Sequence, residues 1–153
     1  MAKNKEEKTN VMRVLEQKKI AYTPHSYPHE EGIAVDGVTV AQSMGFDPAI
    51  VFKTLVARGA SKQYYVFDVP VAENLDLKKA AKAVGEKSIE MIHQKELLPL
   101  TGYVHGGCSP VGMKKLFPTV FHETAENLET MIVSAGKIGY QVELAPHDLA
   151  ALV

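Results

Sequence analysis

The stretch IVFKTLVARGASKQYYVFDV, residues 50–69, carries the clearest secondary-structure signal in the chain. Two runs rich in β-branched and aromatic residues, IVFKTLVA (50–57) and QYYVFDV (63–69), lie on either side of GASK. Such runs favour β-strands, and GASK has the composition of a turn. The stretch therefore predicts a β-hairpin.

One cation interrupts the first of these strands. Two-residue alternation places Lys53 in a row of apolar residues, namely Val51, Leu55 and Ala57. A lysine in this position can protect a strand edge from aggregation, or extend its aliphatic stem over apolar surface towards water. It can also point into a pocket and bind a carboxylate, a phosphate or a ribose hydroxyl. The residues alone leave these alternatives open.

Helices and further short strands are predicted around the hairpin. Thr9 or Asn10 can cap a first helix, residues 38–44 resemble a short helix, Asp76 and Gly85 bound LKKAAKAV (77–84), and PHDLAALV (146–153) closes the chain. Extended segments are predicted at 20–27, 102–105, 119–122, 130–135 and 140–145. The pattern predicts a flexible N-terminus (1–8) and one α+β domain (9–153). In that domain helices surround a mixed, mostly antiparallel, barrel-like sheet of about seven short strands.

Composition limits the function classes. The chain has 153 residues, 46% of them apolar, which suffices for a sizeable core. A formal net charge of -1 argues against a protein that coats a nucleic-acid backbone, although a local contact remains possible. The single cysteine excludes a disulfide framework and CxxC zinc patterns, and no apolar run could span a membrane. We therefore expect a cytoplasmic protein with no cofactor and no metal.

The segment GGCSPVG (106–112) contains that single cysteine. It matches neither GxxxxGK[ST] nor GxGxxG, which argues against binding of nucleoside triphosphates or dinucleotides. Gly106 and Gly107 can present backbone N–H groups to an anion or a carbonyl oxygen, or can form a tight turn. Ser109 and Pro110 predict a helix start, which would lower the pKa of Cys108. Cys108 is thus a candidate nucleophile or a small packed residue.

Six motifs in fixed order extend the pattern over nearly the whole chain: HSYPH (25–29), FKTL (52–55), LDLKKAAKAVG (75–85), TGYVHGGCSPVG (101–112), LFPT (116–119) and IVSAGKIGYQVELAPHDLA (132–150). Together they resemble the YbaK/EbsC family of aminoacyl-tRNA deacylases, which is related to the editing insertion domain of bacterial prolyl-tRNA synthetase. The resemblance implies an α+β fold around a mixed, barrel-like sheet. It also implies removal of cysteine from mischarged Cys-tRNA(Pro), with Cys-tRNA(Cys) as a further candidate substrate. The expected partners are the aminoacyl-tRNA acceptor end and prolyl-tRNA synthetase.

The resemblance also implies a set of site residues. Lys53 is the expected central residue, with Tyr27 and Thr54 beside it. Gly106 falls on a glycine strip that approaches the substrate, and Ser134 lines the same pocket.

Two positions depart from the family pattern. Gln141 replaces an aspartate of the last strand, so it can hydrogen-bond a substrate but cannot neutralise a cation. Asp36 stands where an aromatic residue often precedes the second helix.

The mechanism implied by the family uses no enzyme nucleophile. The thiol of the substrate's own cysteine attacks its ester carbonyl, which releases tRNA and a cysteine thiolactone. Backbone N–H groups of Gly106 and Gly107 would stabilise the oxyanion, while Lys53 would hold the terminal ribose or phosphate. Open alternatives are hydrolysis of Ala-tRNA(Pro), a thiol hydrolase that uses Cys108, and a non-catalytic module that binds tRNA or a synthetase.

Overall fold

The computed structural model describes residues 8–30 and 32–153. Apart from Lys8, the segment 1–8 that was predicted to be flexible lies outside these residues. The described residues form an α+β domain of five α-helices and seven strands. The helices are α1 (Asn10–Gln17), α2 (Gly37–Ser43), α3 (Leu77–Val84), α4 (Gln94–Thr101) and α5 (Pro146–Ala150). The strands are β1 (Thr23–Ser26), β2 (Phe52–Gly59), β3 (Tyr64–Pro70), β4 (Ile89–Met91), β5 (Thr119–Phe121), β6 (Met131–Ser134) and β7 (Tyr140–Leu144).

The strands are divided between two sheets rather than joined in one barrel. One sheet has the order β4-β2-β3-β5, and the other has the order β1-β7-β6. All neighbouring pairs are antiparallel except β3 and β5, so the prediction of a mixed, mostly antiparallel arrangement is confirmed. Within the described part of the chain, one isolated bridge, between Val51 and Ile132, connects the two sheets. Because one bridge is not a ladder, the sheets do not close, and the barrel-like part of the prediction is not confirmed.

The predicted hairpin is present and separates the apolar clusters of the domain. On one face of β2, Phe52 and Val56 pack into the main core with α1, β6 and β7. On the opposite face, Ala57 packs against α3 and β4. Val51 lies in a third cluster, with α2 and β6. The two faces of β2 therefore support two clusters, because successive side chains point to opposite sides, and Val51, just before β2, contributes to the third.

Hydrogen bonds with capping residues define the ends of α1 and α3, as predicted. The Thr9 side chain accepts a hydrogen bond from the N–H of Met12 at 3.2 Å, which starts α1. Asp76 Oδ1 accepts from the N–H groups of Lys78 and Lys79, both at 3.1 Å, and starts α3. Gly85 ends α3 with a φ of 74°, a left-handed conformation that glycine adopts without strain.

The predictions between α4 and β5 were wrong. Residues 102–105 form no strand, and no helix begins at Ser109 and Pro110. Gly102, Gly106 and Gly112 all have positive φ, which interrupts regular structure three times within eleven residues. The hydroxyl of Ser109 accepts from the N–H of Val111 in a local turn, rather than capping a helix. Strand β4 and helix α4 were not predicted, and Pro99 within α4 explains why its helical signal is weak.

We expect Asp76→Ala to lower the free energy of unfolding by about 1 kcal/mol, because two N–H groups of the first turn of α3 lose their acceptor. Denaturant unfolding would measure the change. Glu73→Ala, which also removes an exposed carboxylate just before α3, is the matched control. Equal losses in the two variants would contradict the capping role of Asp76.

Candidate functional site

A cavity of about 400 Å³ lies where the start of β2 meets the segment that leads into α2, the loop after α4 and the sheet β1-β7-β6. Its lining comes from segments that are distant in sequence. Six of the seven residues predicted for the site line this cavity: Tyr27, Lys53, Thr54, Gly106, Ser134 and Gln141. Gly107 is not among the lining residues. The structure thus brings most of the predicted set into one pocket.

Lys53 lies at an opening in the sheet. Strand β4 pairs only with residues 57–59 of β2, and residues 51–55 line the pocket. Lys53 is half-buried, and no carboxylate or other hydrogen-bond partner among residues 8–30 and 32–153 contacts its ammonium group. An unpaired cation in a partly desolvated pocket attracts anionic or hydroxyl groups more strongly than one in open water. The position therefore favours the pocket interpretation of Lys53.

The two glycines of the loop have different roles. A Cβ on Gly106 would lie 2.7 Å from Cβ of Ala34, and its φ is +90°, so the backbone here requires glycine. The N–H of Gly106 has no hydrogen-bond acceptor in the described part of the chain. The N–H of Gly107, in contrast, donates to the carbonyl of Val104 at 3.0 Å and closes a turn. Of the two, only Gly106 both lines the pocket and has an N–H without an acceptor among the described residues.

Cys108 lines the pocket but is a poor nucleophile. Its side chain is 7% exposed. Burial, and then the negative charge of Asp68, raise the pKa of the Cys108 thiol to about 12, although a hydrogen bond with Thr101 opposes the shift. The expected lowering by a helix start was wrong, since no helix begins there. A thiol with such a pKa is protonated at neutral pH and therefore unreactive.

The far wall of the pocket is built by β6 and β7. Ser134 and Gln141 face each other across these strands, and both are largely buried. Ser134 Oγ accepts from the N–H of Gly136 at 3.0 Å. Gln141 Oε1 is buried without a hydrogen-bond partner among the residues described. Tyr27 lies nearby, and burial raises the pKa of its hydroxyl, while a backbone hydrogen bond at Gly139 opposes the shift. This wall is polar and neutral.

Asp68 is a residue near the site that sequence reasoning missed. It faces Thr54 across the hairpin and accepts a hydrogen bond from Thr54 Oγ1 at 2.5 Å. Asp68 is fully buried, and its Oδ2 has no partner in the described chain. Burial raises the pKa of Asp68 from 3.8 to about 7, and the Thr54 hydrogen bond opposes this shift. The signal was available, because Asp68 alternates in phase with the core residue Val66.

The hydrogen bond to Asp68 also defines what Thr54 can do. A threonine hydroxyl has one proton to donate and two lone pairs that can accept. Because the Thr54 hydroxyl donates its one proton in the hydrogen bond to ionised Asp68, Thr54 Oγ1 can only accept hydrogen bonds from a group in the pocket.

Asp36, which departs from the family pattern, has a structural contact. Its Oδ2 accepts from the N–H of Thr39 at 3.2 Å and caps α2 at the rim of the pocket. Within residues 8–30 and 32–153, no group of three His, Cys, Asp or Glu side chains could hold a metal ion. In the same residues, no helix is long and apolar enough to cross a membrane.

Comparison with models of protein families shows the family to which this chain belongs. Residues 34–152 match the family model described as an aminoacyl-tRNA editing domain. The chain belongs to the aminoacyl-tRNA editing domain family. The match contains every lining residue of the pocket except Tyr27.

Relatives support the assignment along the full editing domain. The chain is 46% identical, over 99% of its length and 93% of the relative's, to EbsC of Enterococcus faecalis, which is assigned as a Cys-tRNA(Pro)/Cys-tRNA(Cys) deacylase. A crystal structure assigned as a trans-editing enzyme for prolyl-tRNA synthetase is 26% identical, with a TM-score of 0.76 over 93% of this chain and 90% of that one. The hypothetical protein APE2540 has the same fold, with a TM-score of 0.81 at 17% identity over 94% and 93% of the two chains.

We expect Asp68→Asn to stabilise the domain relative to wild type as pH rises from about 4 to about 7. In this window the unfolded chain releases a proton that folded Asp68 retains, so the stability of the wild type falls with increasing pH. The amide does not titrate, so the variant escapes a loss that approaches about 4 kcal/mol at the upper end of the window.

Denaturant unfolding at a series of pH values would measure this difference. Glu129→Gln, at an exposed carboxylate, corrects for the loss of one negative charge. A constant difference between Asp68→Asn and wild type from pH 4 to pH 8 would show that Asp68 does not titrate as its burial implies.

Proposed function

We propose that this editing domain removes cysteine from mischarged Cys-tRNA(Pro), in trans and in the cytoplasm, and that Cys-tRNA(Cys) is a second substrate. The assignments of EbsC and of the trans-editing relative support this choice of substrate. The observation that carries the mechanism is the pocket itself. It combines an unpaired cation and a free backbone N–H with no activated nucleophile among its described residues.

The side chains of the pocket that carry hydroxyl or thiol groups are not activated for attack. The Cys108 thiol is protonated, and the Thr54 hydroxyl donates to Asp68. No described carboxylate or imidazole is hydrogen-bonded to Ser134 Oγ. An aminoacyl ester is already reactive, so the substrate's own thiol can serve as the nucleophile once it is correctly oriented.

The proposed reaction is an intramolecular transfer followed by hydrolysis. The substrate sulfur attacks the ester carbonyl carbon, and the bond from that carbon to the ribose oxygen breaks. The thiol proton ends on the ribose oxygen, so the products are free tRNA and a cysteine thiolactone. Water then opens the thiolactone to cysteine. The proposed formation of the thiolactone is a lyase reaction, whereas the sum of the two steps is a hydrolysis.

Backbone donors at the glycine strip support this reaction. The tetrahedral intermediate places negative charge on the former carbonyl oxygen, and a preorganised N–H stabilises such charge. Gly106 and Gly107 were both predicted donors. Since the N–H of Gly107 already donates to Val104, we assign the oxyanion contact to Gly106 and a supporting role in the turn to Gly107.

Lys53 and the uncharged polar residues of the pocket would bind different parts of the substrate. Lys53 would bind the ribose or phosphate of the terminal adenosine, while Tyr27, Thr54, Ser134 and Gln141 would contact the aminoacyl group. Gln141 would contribute a hydrogen bond without charge, in place of the carboxylate of the family pattern. A protein with net charge -1 would contact tRNA only at a few phosphates. Selection of tRNA(Pro) would therefore depend on prolyl-tRNA synthetase.

We expect Lys53→Met to lower kcat/KM for Cys-tRNA(Pro) by about 10- to 100-fold, because a charge-assisted contact is lost while most of the stem is kept. Cys108→Ala should retain activity within a few-fold of wild type. Deacylation of radiolabelled Cys-tRNA(Pro) would measure both.

Lys79→Ala is the matched control, because Lys79 is exposed on α3 and does not line the pocket. Circular dichroism would verify that each variant is folded. Loss of activity in folded Cys108→Ala, with full activity in Lys53→Met, would reverse the roles and favour a thiol hydrolase.

We expect the substrate thiol to be essential. Cys-tRNA(Pro) should be deacylated, whereas S-methylcysteinyl-tRNA(Pro), Ser-tRNA(Pro) and Ala-tRNA(Pro) should persist at the rate of spontaneous hydrolysis. S-methylcysteine keeps the sulfur but cannot form a neutral thiolactone. Thin-layer detection of released amino acid would compare the four substrates.

Each other outcome identifies a different function. Rapid release of alanine would assign the protein to the deacylases of Ala-tRNA(Pro). Cleavage of the S-methyl substrate would require water, rather than the substrate sulfur, as nucleophile. Persistence of all four substrates would reject catalysis and favour a binding module.

A further inference from the structure

A second concave surface lies between α3 and β4, outside the pocket described above. It has a volume of about 500 Å³. We call it the lysine groove and define it by Lys78, Lys82 and Lys87, with the buried residues Ala81 and Ile89 between them. Helix α3 supplies the first two lysines, and the turn between α3 and β4 supplies the third. Neither the hairpin nor the editing pocket explains this cluster of like charges.

The three ammonium groups are unneutralised. All three lysines are exposed, and none of them has an ion pair or a side-chain hydrogen bond with another described residue. Glu86 also lines the groove, but its carboxylate is held elsewhere. Its Oε1 accepts from the N–H of Ser61, and its Oε2 accepts from the hydroxyls of Ser61 and Tyr65. These hydrogen bonds lower the pKa of Glu86, so its carboxylate stays ionised, and the groove presents three unpaired cations against one carboxylate. The groove therefore keeps a net positive charge towards an anion that enters it.

The groove lies on the same side of the hairpin as Lys53. Ala57 of β2 packs against Ala81 and Ile89, the two buried residues of the groove. Lys53 lies four residues before Ala57, on the same face of the strand by two-residue alternation. At about 3.3 Å per residue, Ala57 lies about 13 Å from Lys53 along β2, and Gly59, the pairing partner of Ile89, lies about 20 Å from it. A polyanion that ends at Lys53 can thus continue towards the groove.

We propose that the lysine groove binds the phosphate backbone of the tRNA acceptor arm while the terminal adenosine occupies the editing pocket. The inference rests on the proposed function, because it takes the acceptor end of tRNA as the ligand of that pocket. Lysine ammonium groups bind phosphates as point charges, without reading base sequence. The groove would therefore strengthen binding of every tRNA and would leave discrimination to another partner.

The test compares two triple variants with the same net charge. In the groove variant, Lys78, Lys82 and Lys87 are all replaced by Ala. In the control variant, the exposed residues Lys18, Lys79 and Lys95 are replaced by Ala. Alanine is a good helix former, and every replaced side chain is exposed, so both variants should fold. Circular dichroism and thermal unfolding would verify this.

The first readout is binding of uncharged tRNA(Pro) over a series of salt concentrations, which requires no catalysis. We expect the groove variant to bind about tenfold or more weakly than the control variant at low salt. The magnitude of the slope of log K against log salt should fall by about two to three, since three phosphate contacts are lost. Restoring charge with Arg at the three positions should restore both values.

The second readout separates the groove from the catalytic step. The groove variant should show a raised KM for Cys-tRNA(Pro) with little change in kcat. It should cleave 3′-O-cysteinyl-adenosine, which has no acceptor arm, as well as wild type does.

Several results would overturn the proposal. Equal tRNA affinity and equal salt slope in the two triple variants would reject the groove as an RNA site, while wild-type deacylation would leave the proposed function intact. Unchanged tRNA binding together with lost association with prolyl-tRNA synthetase would make the groove a protein-binding surface instead. Conversely, absence of deacylation by wild type, with groove-dependent tRNA binding, would reject the catalytic proposal alone.

Discussion

The antiparallel pairing of β2 with β3 is the constraint on which the rest of the structure depends. Its register places Lys53 opposite Val69 and Thr54 opposite Asp68. Because successive side chains alternate, the first pair lies on the face away from the main core and the second pair on the face towards it. A slip by one residue would exchange these faces, bury the cation and expose the core residues. The register of one hairpin thus determines both the packing and the electrostatics of the pocket.

A buried carboxyl group that is unusual in a protein core lies beside the pocket. A fully buried carboxyl with one hydrogen-bonded oxygen is destabilising unless it is protonated, and Asp68 has a pKa near neutrality for that reason. Its hydroxyl partner Thr54 lines the cavity, so the burial of Asp68 directly affects a pocket group. Burial of Cys108 itself, and then the negative charge that Asp68 carries when ionised, raise the pKa of the thiol and keep it protonated. The fold therefore keeps the Cys108 thiol protonated, which supports the proposed mechanism by substrate orientation and backbone donors.

Charge is arranged locally although the whole chain is nearly neutral. The chain contains 17 Lys and Arg against 18 Asp and Glu, which predicts no basic face. Folding nevertheless places Lys53 at the pocket and three further lysines around a groove, while Glu86 is turned towards Ser61 and Tyr65. A net charge is a sum over all residues, whereas binding of an acceptor arm depends on the few charges that it contacts.

The sequence by itself determined the features that depend on neighbouring residues. The hairpin, the caps at Thr9 and Asp76 and the closing helix follow from short-range patterns, whereas the grouping of the site residues was implied by the family resemblance of the ordered motifs. Tertiary structure decided the rest, because it depends on contacts between distant segments. After α4, glycines with positive φ form turns where a strand and a helix were expected. The N–H of Gly107 donates to the carbonyl of Val104 within one of these turns. The described parts of the two sheets are joined by one bridge and do not close into a barrel. The state of Cys108, a nucleophile or a packed thiol by sequence, was decided only by burial beside Asp68.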